Sequence, residues 1–278
     1  YPEMQLVGNA KTFAMLRQFF GAKAPTDGRL LEVGEGETLP LGAHTLHFML
    51  APMVHWPEVM VAYEETEKLL FSADAFGRFG SLGRTANAPW APQARRYYYN
   101  IVGKYGAQVQ ALLKKAAALE IETICPLHGP VLTGGALAEA LRLYDLWSRW
   151  QSEAPEEILL AHASIHGNTA RAAVLLKQKL EAKGARVTLC DLTTTEVSYA
   201  VANAFCCGKL VLACSTYDGG LFPPMEEFLS HLQAKGFRDR SVGLMENGSW
   251  APAAARLMRA KLEEMKDLRV CDAVVSLR

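Results

Sequence analysis

The chain has 278 residues, half of them hydrophobic and 21% charged, with 29 Lys and Arg against 29 Asp and Glu. That length allows two domains with sizeable cores, and the zero net charge argues against a polyanion-binding surface and so against nucleic acid as a partner. No apolar run approaches the roughly 18 residues of a membrane span, so no membrane association is expected.

In chain order, a first helix is expected over Lys11–Phe20. The stretch from His44 to Gly77, "HTLHFMLAPMVHWPEVMVAYEETEKLLFSADAFG", holds short strands joined by tight turns. Within it Val59–Tyr63 and Lys68–Phe71 form a hairpin around Glu64–Glu67. His44 and His47, in an alternating strand, read as structural. Further helical patterns cover Ala94–Leu119 and Ala136–Trp150. This mixture predicts an α/β sandwich whose sheet contains antiparallel pairs. The polar "QSEAP" at 151–155 marks the boundary, giving domains 1–152 and 153–278.

Beyond it strand and helix signals alternate. Strands are expected at Ile158–Ala161, Val187–Cys190, Lys209–Cys214, Ser241–Met245 and Arg269–Val275. Helices are expected at Thr169–Lys183, Pro224–Lys235 and Pro252–Lys266. Strands interleaved with helices imply a doubly wound parallel sheet with right-handed crossovers. The six cysteines (Cys125, Cys190, Cys206, Cys207, Cys214, Cys271) lack framework spacing, and five sit in apolar or strand-like runs. They read as reduced, buried thiols of a cytoplasmic protein.

Ligands of doubly wound sheets bind beyond the carboxyl ends of the strands. Three polar turns occupy such positions: Ser164–Thr169, "CSTYDGGLFPP" and "MENGSWAP". The first offers short polar side chains and a following helix N-terminus, which suits a phosphate. It lacks Gly-x-Gly-x-x-Gly and Gly-Lys-Ser/Thr, so a monophosphate suits it better than a dinucleotide or triphosphate. The other two turns each add one large aromatic, Tyr217 and Trp250, for a planar heterocycle. Singly, a Gly-Asn-Thr turn is an ordinary helix cap and either aromatic an ordinary piece of partial core. Together the turns describe a pocket for a phosphorylated aromatic ligand.

"SIHGNTARA", "STYDGGLFPPMEEFL" and "ENGSWAP" resemble the three FMN-binding loops of the flavodoxin domain in flavodiiron proteins, also called A-type flavoproteins. The resemblance covers the whole second half. It implies FMN contacts from Ser164, Ile165, His166, Gly167, Asn168 and Thr169, with Ser164, His166, Asn168 and Thr169 around the phosphate. Ser215, Thr216, Tyr217, Asp218, Gly219 and Gly220, with Asn247, Gly248, Ser249 and Trp250, would enclose the isoalloxazine. His166 stands where tyrosine or threonine is commoner; it adds positive charge below its pKa or simply fills space.

In the first half, "APMVHWPEVM", "FSADAFG" and "ICPLHGP" each place a ligand-type residue in a turn: His55, Asp74 and His128. Two imidazoles and a carboxylate suit iron, manganese or zinc. A lone loop histidine is ordinarily a surface or capping residue, so these positions alone do not fix a site. Cys125, three residues before His128, reads as core. These motifs resemble the later ligand motifs of the metallo-β-lactamase-like domain of flavodiiron proteins. The resemblance implies two iron ions, with His55 and His128 as ligands and Asp74 bridging. Trp56 walls the substrate cavity or packs under the hairpin. The family's upstream His-x-Glu-x-Asp-His, shortly before a segment like Tyr1-Pro2, does not occur in this sequence.

The fold implied is therefore a partial metallo-β-lactamase-like αββα sandwich, without its first part, followed by a flavodoxin-like five-stranded parallel sheet. The activity implied is an oxidoreductase. Electrons from a rubredoxin-like donor pass through FMN to a diiron centre that reduces O2 to water or NO to nitrous oxide. In the family one subunit's FMN lies beside another's irons, which implies a homodimer or dimer-based tetramer. Rival readings are a metal-dependent hydrolase of lactamase-like fold and a non-catalytic FMN-binding remnant.

Overall fold

The computed structural model describes all residues except 2, 26, 86, 87 and 278. Pro2, of the Tyr1-Pro2 segment, lies outside the described residues. The chain divides into two compact units, Tyr1–Arg149 and Trp150–Arg278.

The first unit opens with β1 (Leu6–Gly8), α1 (Ala10–Phe20) and β2 (Leu30–Glu32), in which β1 and β2 pair in parallel. Asn9 starts α1 by accepting a hydrogen bond from the Thr12 amide at 3.1 Å. Then come β3 (Thr38–Leu41), β4 (His44–Leu50), β5 (Met60–Glu64), β6 (Leu69–Phe71), the short α2 (Leu82–Thr85) and α3 (Trp90–Tyr97). The unit ends with α4 (Gly106–Ala116), β7 (Thr123–Cys125), β8 (Leu132–Thr133) and α5 (Gly134–Ser148). Strands β3 to β8 form one sheet in chain order, antiparallel except for the parallel β6–β7 pair.

The expected hairpin is β5–β6, with Tyr63 opposite Leu70. Its turn is organised by Glu64, whose carboxylate accepts from the Thr66 and Glu67 amides at 3.0 and 2.7 Å. His44 and His47 pair across the strand edge with Glu64 and Glu65, at 3.0 and 2.8 Å. The single helix expected over Ala94–Leu119 is instead interrupted. A π-helical turn at Tyr98–Val102 and a 3₁₀ turn at Gly103–Tyr105 separate α3 from α4. The cause is packing. Tyr97, Tyr98, Tyr99 and Val102 are all buried, and consecutive buried side chains do not fit one face of a 3.6-residue helix.

The second unit runs β9 (Ala154–Ala163), α6 (Asn168–Glu181), β10 (Val187–Asp191), α7 (Val197–Cys206), β11 (Cys207–Tyr217), β12 (Gly220–Leu221), α8 (Pro223–Ala234), β13 (Ser241–Asn247), α9 (Ala254–Glu263) and β14 (Arg269–Leu277). Five strands form a parallel sheet in the order β10-β9-β11-β13-β14, with the two-residue β12 antiparallel to β11. Strand order reverses beside β9, so β9 and β11 flank a switch point where such sheets bind ligands. Leu160, Ala173, Ala213 and Met245 form a core cluster under α6, joined by Leu176 and Val187.

Helix α7 did not show in the sequence pattern. Ala200, Val201, Ala202, Ala204 and Phe205 are all buried, so the helix has no amphipathic stripe to betray it. All six cysteines are free. Cys190, Cys207 and Cys214 are buried, Cys125 and Cys206 partly so, but Cys271 on β14 is exposed, which corrects the expectation of buried thiols. Among the described residues no helix is long and apolar enough to cross a membrane.

Candidate functional sites

In the second unit, the turns after β9, β11 and β13 converge on a cavity of about 530 Å³. Of the residues expected there from the sequence, all but Gly167 and Gly220 line it, and Ala251 is added. Gly167 instead shapes the entry to α6. Its φ of 82° is left-handed, and the helix that follows carries no side-chain cap. The first amide groups of α6 and its positive dipole end are thereby left for an anion. Gly220 pairs with Tyr217 in the small β11–β12 ladder, which stiffens the second turn.

The cavity floor is a hydroxyl and amide network. Thr169 Oγ1 and Ser215 Oγ stand 2.8 Å apart, and Asn247 Nδ2 donates to Thr169 Oγ1 at 3.3 Å. Thr216 Oγ1 accepts from the Ala253 and Ala254 amides at 3.0 and 3.3 Å, fixing the start of α9 behind the third turn. Ser164 Oγ is buried without a hydrogen-bond partner among the described residues. A buried hydroxyl in that state is destabilising unless a ligand meets it. Among the described residues the lining includes no lysine or arginine, so a bound phosphate would rely on amides, hydroxyls and the helix dipole. Tyr217 is 50% and Trp250 91% exposed, leaving aromatic faces free at the rim. Asn168 Oδ1 accepts from the Arg171 guanidinium.

In the first unit, His55, Asp74 and His128 come together although they lie on three separate loops. His55 Nε2 stands 3.6 Å from Asp74 Oδ2, and His128 Nε2 stands 3.1 Å from Asp74 Oδ1. Each imidazole thus faces a different oxygen of one carboxylate. Two nitrogen or oxygen ligands on one ion at about 2.1 Å stand roughly 3.0–3.4 Å apart at right or tetrahedral angles. The two pairs are near that spacing, so the residues fit a carboxylate shared between two cations. Among the described residues, no group of three or more His, Cys, Asp and Glu could hold a single ion.

The turn carrying Asp74 is built for this placement. Ala73 and Phe76 adopt positive φ values of 52° and 64°, costly for residues with a Cβ. The turn is held by Ser72 Oγ donating to the Ala75 carbonyl at 2.8 Å and by the Phe76 amide donating to Tyr144 Oη at 2.6 Å. Backbone bonds from Leu127 to Ala73 and from Arg78 to His128, at 2.8 and 3.0 Å, strap it to the His128 loop. Gly77 permits the approach. A Cβ there would meet the carbonyl oxygens of Asp74 and His128 at 3.0 and 3.1 Å.

Trp56 is 42% exposed, with its ring 6.4 Å from that of His55. It lines, with Asp74, an otherwise mostly apolar cavity of about 330 Å³. Two residues around this site escaped the sequence reading. Tyr97 lies beside His128, its ring 5.8 Å away. Burial, the Asp74 charge and a hydrogen bond to Asp74 push its phenol well above the usual range. The other is Glu58, which lines the same cavity. Neither carries a local signal, because Tyr97 sits in a run of three tyrosines and Glu58 looks like a turn acid.

Residues 2–129 match the family described as ODP family beta lactamase. The chain is 28% identical over 242 residues to a putative diflavin flavoprotein of Nostoc, covering 84% of this chain and 41% of that protein. It is 24% identical over 245 residues to the rubredoxin-oxygen oxidoreductase of Megalodesulfovibrio gigas, covering 84% of this chain and 60% of that protein. It therefore spans about half the length of these curated relatives. In fold it resembles the flavodiiron protein of Giardia intestinalis, with a TM-score of 0.85 at 23% identity over 95% of this chain and 67% of that one. The resemblance read from the motifs holds across both units, and the architecture is lactamase-like plus flavodoxin-like.

Proposed function

We propose that this chain, which pairs the lactamase-like and flavodoxin-like folds of flavodiiron proteins, is an electron-transferring oxidoreductase that holds FMN in its second unit and takes part in holding two iron ions in its first. Similarity to type A flavoproteins and to a rubredoxin-oxygen oxidoreductase supports the class. The observation that carries the reading is the three-turn cavity at the switch point of the parallel sheet, where the buried Ser164 hydroxyl has no hydrogen-bond partner among the described residues.

Bound FMN supplies one-electron transfer, and a bound iron pair supplies reduction of O2 to water or of NO to nitrous oxide. The chain's own residues set the conditions. Ser164, Thr169 and the first amides of α6 would bind the phosphate, and Tyr217 and Trp250 would cover the ring system. His55, Asp74 and His128 would furnish part of the iron coordination, with Tyr97 holding the Asp74 carboxylate in orientation. Trp56 would wall the space above Asp74. A rubredoxin-like protein is the proposed donor, a homodimer or dimer-based tetramer the proposed assembly, and the cytoplasm the proposed location.

The test is flavin titration of the chain against its Ser164→Ala and Asn168→Asp variants, followed by fluorescence quenching. Asn168→Asp sets a negative charge beside the phosphate and is expected to weaken FMN about tenfold, or about 1.4 kcal/mol. Unchanged affinity in both variants would contradict the assignment.

A further inference from the structure

Glu58 has no part in the ligand set described above, yet its environment calls for a partner. Its backbone carbonyl accepts from Asn9 Nδ2 at 2.7 Å, tying the residue to the start of α1. Its side chain shares the cavity of about 330 Å³ with Asp74. Oε2 is buried and has no hydrogen-bond partner among the described residues. The other lining residues are Thr12, Met15, Leu16, Phe19, Trp56 and Val59, none of them cationic.

A buried carboxyl oxygen with no hydrogen-bond partner is disfavoured. A second carboxylate in the same apolar space adds repulsion. A divalent cation with its bound water removes both penalties.

We propose that Glu58 is a positioning residue of the cation site. Its Oε2 accepts a hydrogen bond from water bound to a divalent cation that Asp74 coordinates. This inference rests on the metal reading of His55, Asp74 and His128. Contact through water is chosen over direct ligation because, among the described residues, no group of three or more His, Cys, Asp and Glu side chains could hold one ion. Outer acceptors of this kind orient the inner ligands and raise affinity.

The experiment titrates the metal-free chain with Co(II), whose visible bands report coordination, and compares Glu58→Gln, Glu58→Asp and His128→Ala. Glu58→Gln keeps the size and removes the charge. It is expected to raise the Co(II) Kd about tenfold, within the range of outer-shell partners, while the bands at saturation stay close to those of the parent. Glu58→Asp, which keeps the charge, recovers part of that loss. The metal-free Tm of Glu58→Gln should stay close to the parent's, because Glu58 is half-buried and its Oε2 has no hydrogen bond among the described residues to lose. Parent-like Co(II) affinity in Glu58→Gln, with binding lost in His128→Ala, overturns the role of Glu58 and leaves the metal reading standing. A fall in metal-free Tm at unchanged affinity shows a purely structural residue and also overturns it. No Co(II) binding by the parent chain removes the metal reading and this inference together.

Discussion

The two candidate sites are assembled in opposite ways. The three-turn cavity is built from contiguous peptide segments at one end of a parallel sheet, mostly from amides, hydroxyls and two exposed aromatics. The site at Asp74 draws single side chains from loops about 20 to 55 residues apart, held in place by strained backbone and a close glycine contact. A site of the first kind should lose less on removal of one side chain, since backbone groups would share the binding, whereas one of the second kind should depend on each residue individually.

That contrast predicts its own tests. The largest effect should come from Asp74→Asn or His128→Ala, each lowering metal affinity by more than about 100-fold, beyond what outer-shell changes cause. Flavin affinity should not move, as equilibrium dialysis and flavin titration on the same samples would show. Next is Gly77→Val, where a larger side chain would crowd two carbonyls. It should destabilise the first unit by about 1–3 kcal/mol in denaturant unfolding and weaken metal binding as well. Loss of stability with parent-like metal affinity would separate the packing of this turn from the site it carries.

On the flavin side, Thr216→Val removes the acceptor for the Ala253 and Ala254 amides. It should cost about 1 kcal/mol of stability, as lost caps do, with a smaller loss of FMN affinity than Asn168→Asp. The smallest effect concerns pH. Burial alone would raise the Glu64 carboxyl, but hydrogen bonds from the Glu67 and Thr66 amides and from His44 outweigh it and hold the pKa at about 2. A carboxyl lowered on folding contributes stability that is complete above its unfolded pKa and is lost as pH falls through the folded value. Between about pH 4.5 and 2 the β5–β6 hairpin should therefore loosen, and Glu64→Gln should flatten that part of the acid-unfolding curve.

The same contrast explains what could be read in advance. Parallel strands such as β9 and β11 announce themselves through the apolar runs Ile158–Ala161 and Lys209–Cys214, and the turns after them fall where such sheets bind ligands. The three turns that line the cavity were legible because their polar residues lie within a few consecutive positions. His55, Asp74 and His128 were nameable from short motifs, but their meeting at one carboxylate is a property of the fold. Tyr97 and Glu58 were invisible because the neighbours that place them near Asp74 and His128 lie far away in sequence. The broken helix at Tyr98 and the wholly apolar α7 escaped for a related reason. Tertiary burial, rather than a one-sided stripe, decides their form.

The central claim is that a flavin monophosphate lies across the turns of the second unit while metal is held at Asp74 in the first. Paired quantification of flavin and iron, on folded chain saturated with FMN and ferrous ion and then desalted, tests it most directly. The account predicts one FMN per chain, retained in Asp74→Asn, together with iron that the same substitution removes. Folded protein that keeps no flavin after saturation would contradict it.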